Sequence, residues 1–294
     1  MAELRTISNN RLSIAVSDHG AELSSIYDKE NNYEVLWTAE NKYWGRHAPV
    51  LFPIVGGLYK KEMRYKGKTY SMNQHGFARD NDFTLISQTE NQIIHEFHQT
   101  SATKALYPFD FTLRITHTLK ENNVIITWDV TNDTDGIMYF SIGGHPAFNV
   151  PPMGDTPQTD FYLRFGGKKQ LEYISLDTSD GTALPQMTTP YTSPDGIFPI
   201  TEHMFDNDAL IFEHNQINEV SFLFPDRTPY LTMHCQDFPY FAVWQKPGAP
   251  FICLEPWYGR TDNSKFNGEF SEKTGIQKLE KNQTFHAEYS ITVH

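Results

Sequence analysis

Alternation of apolar and polar residues recurs along the chain and constrains its fold more than any other feature of the sequence. The longest run lies at residues 285–293 (FHAEYSITV), where every second side chain is apolar. Because successive side chains of a β-strand point to opposite faces, this pattern predicts a strand with one buried face. Helical periodicity is scarce by contrast, so we expect an all-β protein.

Shorter segments of the same kind are bounded by glycine, proline, asparagine or aspartate. Residues 113–119 and 124–130 flank a Glu-Asn-Asn turn and predict a β-hairpin. The many short strands and the prolines and glycines between them favour a large antiparallel sandwich. Residues 151–199 are the most loop-like region. Further strands are predicted over residues 12–16, 92–98, 161–165, 220–224, 240–245 and 251–255.

The chain has 294 residues, enough for one large β domain or two ordinary ones. No internal repeat, low-complexity tract or linker composition divides it, so we predict a single domain over residues 1–294. The net charge of −12 disfavours nucleic acid and anionic membranes as partners, because both attract basic surfaces. A small-molecule ligand fits this charge better.

The sequence also favours a cytoplasmic protein. Its first residues, MAELRTISNN, lack the pattern of a secretory signal, and no segment approaches the ~18 consecutive apolar residues of a membrane span. Cys235 and Cys253 are too few for a disulfide framework, and we interpret them as buried free thiols. Both a monomer and a homodimer are compatible with these features.

The segment FSIGGHPAFNVP, residues 140–151, gives a histidine an unusual setting. Pro146 favours extended backbone angles for His145, while Gly143 and Gly144 remove side chains that would crowd a ligand or a neighbouring strand. The imidazole could therefore face a pocket. A core histidine with a hydrogen-bonded ring explains the same pattern.

The segment FICLEPWYGR, residues 251–260, places a carboxylate after four apolar residues. Strand alternation puts Glu255 on the same face as Phe251 and Cys253, at the end of the predicted strand. An unpaired buried carboxylate is costly or becomes neutral through a pKa shift. Glu255 is therefore either half of a salt bridge to an arginine or a general base tuned by its surroundings.

Two loop-edge clusters mix arginine and histidine with aromatic residues. YWGRHAPVLFPIVGG, residues 43–57, contains Arg46, and QHGFARDNDF, residues 74–83, contains His75 and Arg79. Planar donors and aromatic faces suit the hydroxyls and the apolar side of a sugar ring. Arg79 could instead be a packed arginine that pairs with an acid.

Two further motifs carry weaker signals. HMFDNDALIF, residues 203–212, offers Asp206 and Asp208, although Asp-Asn-Asp is an ordinary turn composition. The motif HEFH prompts the alternative of a metal-dependent isomerase or dioxygenase. His95 and His98 are an odd number of positions apart and face opposite sides of a strand, which is poor ligand geometry.

Taken in order, the stretches HAPVLFPIVG, HGFAR, GGHPAF, FDNDAL and CLEPWYGRTD resemble the aldose 1-epimerase (galactose mutarotase-like) family, and more closely its LacX-like branch. The resemblance covers most of the chain and implies a large antiparallel β-sandwich, the galactose mutarotase-like supersandwich, with the site on its concave face. It implies an isomerase without cofactor or metal, in which His145 is the general acid and Glu255 the general base. We expect a protonated His145 and an ionised Glu255 to converge across one sugar-sized hollow.

The resemblance also implies which residues hold the sugar. Arg46 and His75 would bind hydroxyls or the ring oxygen, and Asp208, in preference to Asp206, would bind further hydroxyls. A sister branch acts on hexose 6-phosphates, so Arg46 and Arg79 could hold a phosphate instead. A sugar-binding protein without turnover is the other alternative, since a fold and a pocket do not guarantee chemistry.

Overall fold

Strands are the main secondary structure of the computed structural model, which describes residues 3–294. Within that range every helix is too short or too polar to cross a bilayer. One α-helix, α1 (Ser101–Leu106), occurs with 3-10 helices at Tyr59–Lys61, Ala78–Asp80, Gln158–Asp160 and Phe270–Glu272. The strands are β1 (Leu4–Ser8), β2 (Leu12–Ser17), β3 (Glu22–Asp28), β4 (Tyr33–Glu34), β5 (Val50–Leu51), β6 (Glu62–Tyr65), β7 (Lys68–Ser71), β8 (Thr84–Gln88), β9 (Gln92–His98), β10 (Phe111–Lys120), β11 (Asn123–Asn132), β12 (Met138–Phe140), β13 (Ile142–Gly144), β14 (Ala147–Asn149), β15 (Tyr162–Arg164), β16 (Gln170–Asp177), β17 (Thr182–Thr192), β18 (Ile197–Pro199), β19 (Leu210–Phe212), β20 (Glu219–Leu223), β21 (Pro229–His234), β22 (Tyr240–Trp244), β23 (Phe251–Tyr258), β24 (Gln277–Leu279) and β25 (Thr284–Val293).

Two large antiparallel sheets organise these strands. One has nine strands in the order β18-β15-β20-β21-β25-β11-β10-β9-β8. The other has eight, in the order β17-β16-β19-β22-β23-β13-β5, with β14 also pairing with β23. The four strands β1 to β4 form a separate sheet, and β12-β24 and β6-β7 form two-stranded ones. The predicted all-β sandwich is confirmed.

The predicted strands follow from the burial of one face of each. β10 and β11 form the predicted hairpin, in a continuous antiparallel register, and β25 pairs with β11 along its length. Aromatic contacts such as Phe148 with Phe222 and Phe165 with Phe212 join the two large sheets. The main hydrophobic core contains residues from Ile7 to Val293. The single domain over residues 1–294 stays a prediction.

Residues 151–199 contain more structure than predicted, and the loop-like interpretation of this region is wrong. Besides β15 they form β18 and the long hairpin of β16 and β17. Pro185 and Pro190 suggested a loop, yet both lie within β17. β17 is the edge strand of its sheet, where a residue without an N–H group is tolerated.

The two faces of β23 contact different hydrophobic clusters. Ile252 and Leu254 belong to the main core, whereas Cys253 and Trp257 belong to smaller clusters on the other face. The prediction that this strand ends at Glu255 is wrong, because it continues to Tyr258.

Pro256 is tolerated inside β23 because its neighbouring ladder is interrupted. The N–H of Leu254 donates to the carbonyl of Pro146, and alternate N–H groups of a strand point the same way. The missing N–H of Pro256 therefore faces the gap between β13 and β14. No ladder hydrogen bond is lost where the proline stands.

Two buried ion pairs fix the segments that follow β23. Arg260 Nε lies 2.7 Å from a carboxylate oxygen of Glu213, and Lys273 Nζ lies 2.9 Å from Asp262 Oδ1. The other oxygen of Asp262 accepts a hydrogen bond from the backbone N–H of Tyr59. Burial lowers the pKa of Lys273, and Asp262 opposes that shift. These contacts tie the segment after β23 to the loop after β5.

Replacing Asp262 by asparagine should destabilise the protein by about 3–5 kcal/mol, because Lys273 is then buried without its ionic partner. Urea denaturation measures the change. Asp135→Asn is the matched control, since it breaks the exposed pair of Asp135 with Lys281 and should leave stability nearly unchanged. Equal stability of the two variants would contradict this account.

Candidate active site

The register between β23 and the strand pair β13–β14 brings two titratable side chains together. Gly143 pairs with Trp257 before the gap in the ladder, and β14 pairs with residues 251–253 after it. The register is the same on both sides of the gap, so His145 lies directly opposite Glu255. Directly opposite residues of antiparallel strands project from the same face within contact distance.

His145 and Glu255 are therefore neighbours on one face of the eight-stranded sheet. His145 Nε2 lies 3.4 Å from Glu255 Oε2, and the two residues are 6% and 1% exposed. Within residues 3–294, neither Glu255 Oε2 nor His145 Nδ1 has a hydrogen-bond partner. Glu255 forms no salt bridge to an arginine, and His145 is not a core histidine with a satisfied ring.

Burial favours the uncharged forms of both groups. Desolvation raises the pKa of the Glu255 carboxyl well above its ordinary value, and Asp208 adds to the shift. Desolvation also lowers the pKa of the His145 imidazole to about 3, with Arg79 contributing. The expected ion pair is therefore less favoured than a neutral carboxyl beside a neutral imidazole. Both forms hold one proton between the two groups and differ only by its transfer.

His75 lies beside this pair, with its ring nearly perpendicular to that of His145 and the centroids 5.5 Å apart. Its Nδ1 accepts a hydrogen bond from the backbone N–H of Gly56 at 3.1 Å, which leaves Nε2 as the donor. Burial holds its pKa well below the ordinary value. Gly76 is required next to it, because a Cβ there would lie 2.2 Å from the carbonyl oxygen of Phe52.

Arg46 and Arg79 form a basic edge of the site. Arg46 donates to Asp80 at 2.6 Å and to the carbonyl of Arg79 at 3.4 Å. Arg79 donates to the carbonyl of Gln74 at 3.0 Å, and its buried Nε has no partner in the described part of the chain. Burial, then the charge of Arg46, lowers the pKa of Arg79 to about 10. The alternative that Arg79 is a packed arginine paired with an acid is therefore wrong for the described part of the chain.

Asp206 and Asp208 also line the site. Asp206 contacts the ring of His203 at 2.9 Å. Asp208 has a left-handed backbone with φ of 77°, and its carboxylate accepts from the N–H of Ala209 at 2.8 Å. Asp208 is the aspartate that raises the pKa of Glu255, so its carboxylate is electrostatically coupled to the floor of the site.

All these groups line one cavity of about 580 Å³, a volume typical of small-molecule sites. It brings together every residue that the sequence suggested for the site. A larger hollow of about 770 Å³ lies elsewhere and contains none of them. The cavity is lined by Trp44, Arg46, Gly56, Gly57, Gln74, His75, Arg79, His145, Leu176, Thr178, Gly181, Phe205, Asp206, Asp208, Ala209, Ile211, Trp244, Pro247, Glu255, Trp257 and Thr261.

Sequence reasoning missed the aromatic walls of this cavity. The indole of Trp44 stacks on the His145 ring with centroids 4.8 Å apart, and that of Trp244 meets it edge-on at 5.6 Å. Trp257 lies opposite Gly143, where a Cβ would approach its Cδ1 to 2.4 Å. The glycines around His145 therefore make room for a neighbouring side chain, as one of the two predicted explanations required.

The structure also locates the histidines of the HEFH motif. His95 is buried and contacts Asp18 at 2.9 Å, while His98 is exposed and contacts Glu96 at 2.8 Å. They lie on opposite faces of β9, as predicted, and outside the cavity. Within residues 3–294, the one cluster with metal-ligand geometry is His145, Cys253 and Glu255, whose ligand atoms lie within 4.8 Å of one another.

The model of the aldose 1-epimerase family matches residues 3–291. The chain belongs to the aldose 1-epimerase family. It is 28% identical to the plasmid and chromosomal LacX proteins of Lactococcus lactis subsp. lactis, over 98% of each chain. The predicted LacX-like branch is confirmed.

Solved structures of this family share the whole architecture. The chain is 34% identical to a galactose mutarotase related enzyme from Lactobacillus acidophilus, with a TM-score of 0.94 over 99% of this chain and 97% of that one. It is 29% identical to a galactose mutarotase-like protein from Lactobacillus casei ATCC 334, with a TM-score of 0.90 over 99% of this chain and all of that one.

Replacing Gly143 by alanine should displace the Trp257 indole from the cavity wall, because the added Cβ would lie 2.4 Å from the ring. We expect a loss of about 1–3 kcal/mol in unfolding free energy and a changed near-ultraviolet circular dichroism spectrum. Gly57→Ala is the control, since its nearest atom, Thr261 Oγ1, is 3.8 Å away. An unchanged spectrum for Gly143→Ala would argue against this packing.

Proposed function

We propose that the protein interconverts the α and β anomers of a free hexose by opening and reclosing the ring at C1. The observation that carries the proposal is the pair formed by His145 and Glu255, which lie 3.4 Å apart in the floor of a sugar-sized cavity. Family membership supports the same chemistry.

The two groups lie side by side, and not on opposite sides of the hollow as the sequence led us to expect. This arrangement suits the reaction, because the C1 hydroxyl oxygen and the ring oxygen are bonded to the same carbon. A sugar whose C1 edge points to the floor presents both oxygens to adjacent partners. His145 and Glu255 can then act on them without crossing the ring.

Ring opening starts from the form in which His145 holds the shared proton. The Glu255 carboxylate takes the proton of the C1 hydroxyl, C1 and its oxygen form a carbonyl, and the bond from C1 to the ring oxygen breaks. His145 donates its proton to that ring oxygen. The free aldehyde turns about the C1–C2 bond, and the reverse transfers close the ring on its other face.

The electrostatics of the floor support this cycle. Ring opening leaves a protonated Glu255 beside a neutral His145, which is the form that burial favours. Desolvation therefore lowers the free energy of the state that holds the open-chain sugar. The reaction consists of balanced proton transfers, so we propose that it proceeds without a redox cofactor or a nucleotide.

The remaining polar groups support a sugar ligand. The Nε2 of His75 and the guanidinium groups of Arg46 and Arg79 offer donors, and Asp208 offers an acceptor in the same cavity. Trp44 and Trp244 offer apolar faces for the carbon side of the ring. We propose that Arg46 and Arg79 bind hydroxyls, because Arg46 is already paired with Asp80 and two aspartates line the same cavity.

We further propose that the protein works in the cytoplasm. Cys235 and Cys253 are both free and buried, which supports a reducing compartment. The prediction of a monomer or homodimer stays a prediction.

His145→Asn and Glu255→Gln should each lower the rate of glucose or galactose anomer exchange by about two orders of magnitude or more, because each removes one proton carrier. Polarimetry measures the exchange, and His98→Asn, which lies outside the cavity, should keep the full rate. Retained activity in either site variant would refute the proposed roles. Sugar binding by calorimetry without any exchange in the unmodified protein would favour the non-catalytic alternative.

Free hexoses should be better substrates than hexose 6-phosphates, because Arg46 is compensated by Asp80 and two aspartates, Asp206 and Asp208, line the same cavity. NMR exchange measurements over matched pairs, such as glucose with glucose 6-phosphate and galactose with galactose 6-phosphate, compare the catalysed rates. A rate at least tenfold higher for the phosphorylated member of each pair would assign Arg46 and Arg79 to a phosphate instead.

A further inference from the structure

Cys253 lies beneath the proposed catalytic pair and has no part in the proposed reaction. It precedes Glu255 by two positions on β23, so its side chain is on the same face of the sheet. It is fully buried, opposite Ala147 in the ladder. Its sulfur and the ligand atoms of His145 and Glu255 lie within 4.8 Å of one another.

The spacing of these atoms is close to that of a tetrahedral metal site. Zinc bonds of about 2.0–2.1 Å to nitrogen and oxygen place two such ligands about 3.3 Å apart in a tetrahedron. His145 Nε2 and Glu255 Oε2 are 3.4 Å apart. A Zn–S bond is about 2.3 Å long. To form it, the sulfur of Cys253 would have to move toward the ligand atoms of His145 and Glu255 by little more than about 1 Å.

An unpartnered polar atom gives an independent indication of a ligand here. Glu255 Oε2, one of the proposed ligand atoms, is buried without a hydrogen-bond partner in the described part of the chain, and such an atom costs stability unless something binds it. Glu255 and His145 also line the cavity, whereas Cys253 lies behind them. An ion that enters through the cavity therefore meets Glu255 and His145 first, and the Cys253 sulfur lies within 4.8 Å of their ligand atoms.

We propose that His145, Cys253 and Glu255 form a binding site for Zn²⁺, with the fourth coordination position open to the cavity. One sulfur, one nitrogen and one oxygen ligand suit zinc and disfavour Mg²⁺ and Ca²⁺, which prefer oxygen. On binding, the thiol becomes a thiolate and its proton passes to solvent.

The site implies that zinc inhibits anomer exchange, and this part rests on the proposed function. An imidazole and a carboxylate that coordinate the ion are no longer free to exchange protons with the sugar. The open coordination position faces the place where the C1 edge of the sugar would lie. Zinc binding and anomer exchange are therefore mutually exclusive at His145 and Glu255.

Cobalt(II) titration of the metal-free protein tests the site without reference to activity, because a thiolate ligand gives a near-ultraviolet charge-transfer band. We expect one equivalent to develop the band and Zn²⁺ to displace it. Cys253→Ala and the more conservative Cys253→Ser should lose the band. Cys235→Ala is the matched control, since that buried thiol donates only to the carbonyl of Ile217, and it should keep the band.

Anomer exchange measured with and without Zn²⁺ tests the inhibition, each variant being compared with its own metal-free rate. We expect inhibition that a chelator reverses, and a zinc requirement at least about tenfold higher in folded Cys253→Ala or Cys253→Ser. Equal zinc sensitivity of all variants, or a cobalt band that survives loss of Cys253, would overturn the proposal. A cobalt band in a protein without exchange would instead contradict the proposed function alone.

Discussion

The shared register of β13, β14 and β23 is the constraint on which the site depends. It keeps His145 opposite Glu255 although the ladder between them is interrupted. Because side chains alternate along a strand, a shift of one residue would turn Glu255 into the core and bring Leu254 to the cavity. The sandwich specifies this register strongly, since the other face of β23 is buried between two large sheets.

The interruption is as important as the register. Gly144 and Pro146 flank His145, and Pro256 follows Glu255, so this stretch of ladder contains two residues without an N–H group. The local chain replaces regular pairing with a polar pair whose uncharged form is favoured by desolvation. Such an arrangement costs stability, because buried polar atoms lack partners. The buried ion pairs after β23 and the extensive core hold the surrounding backbone in place.

Much of the fold could be predicted because burial of one face leaves a period of two in the sequence. The pattern over 285–293 identified β25, and the turn between β10 and β11 identified their hairpin. β17 was missed because prolines argue against a strand unless its position at a sheet edge is known. That position depends on tertiary pairing, which local sequence does not contain.

The candidate site could be predicted as a set of residues but not as a geometry. Glycine, proline and apolar neighbours marked His145 and Glu255 as unusual, and the ordered motifs collected the rest. Trp44 and Trp244 were missed because a chain with 21 phenylalanines and 15 tyrosines gives single aromatic residues little signal. The side-by-side packing of His145 and Glu255, and the preference for their uncharged forms, follow from the pairing of two strands 110 positions apart. Neither can be predicted from the local sequence.

The outer face of β23 explains how one strand can serve several purposes. Phe251, Cys253, Glu255 and Trp257 follow one another at every second position, and the intervening Ile252 and Leu254 fill the core. Since the two faces are interleaved in sequence but separated in space, substitutions on the outer face alter the cavity while the core stays packed. A thiol and a carboxylate two positions apart must then share one environment. The proposed acid–base pair and the proposed zinc site are therefore coupled by the geometry of a single strand.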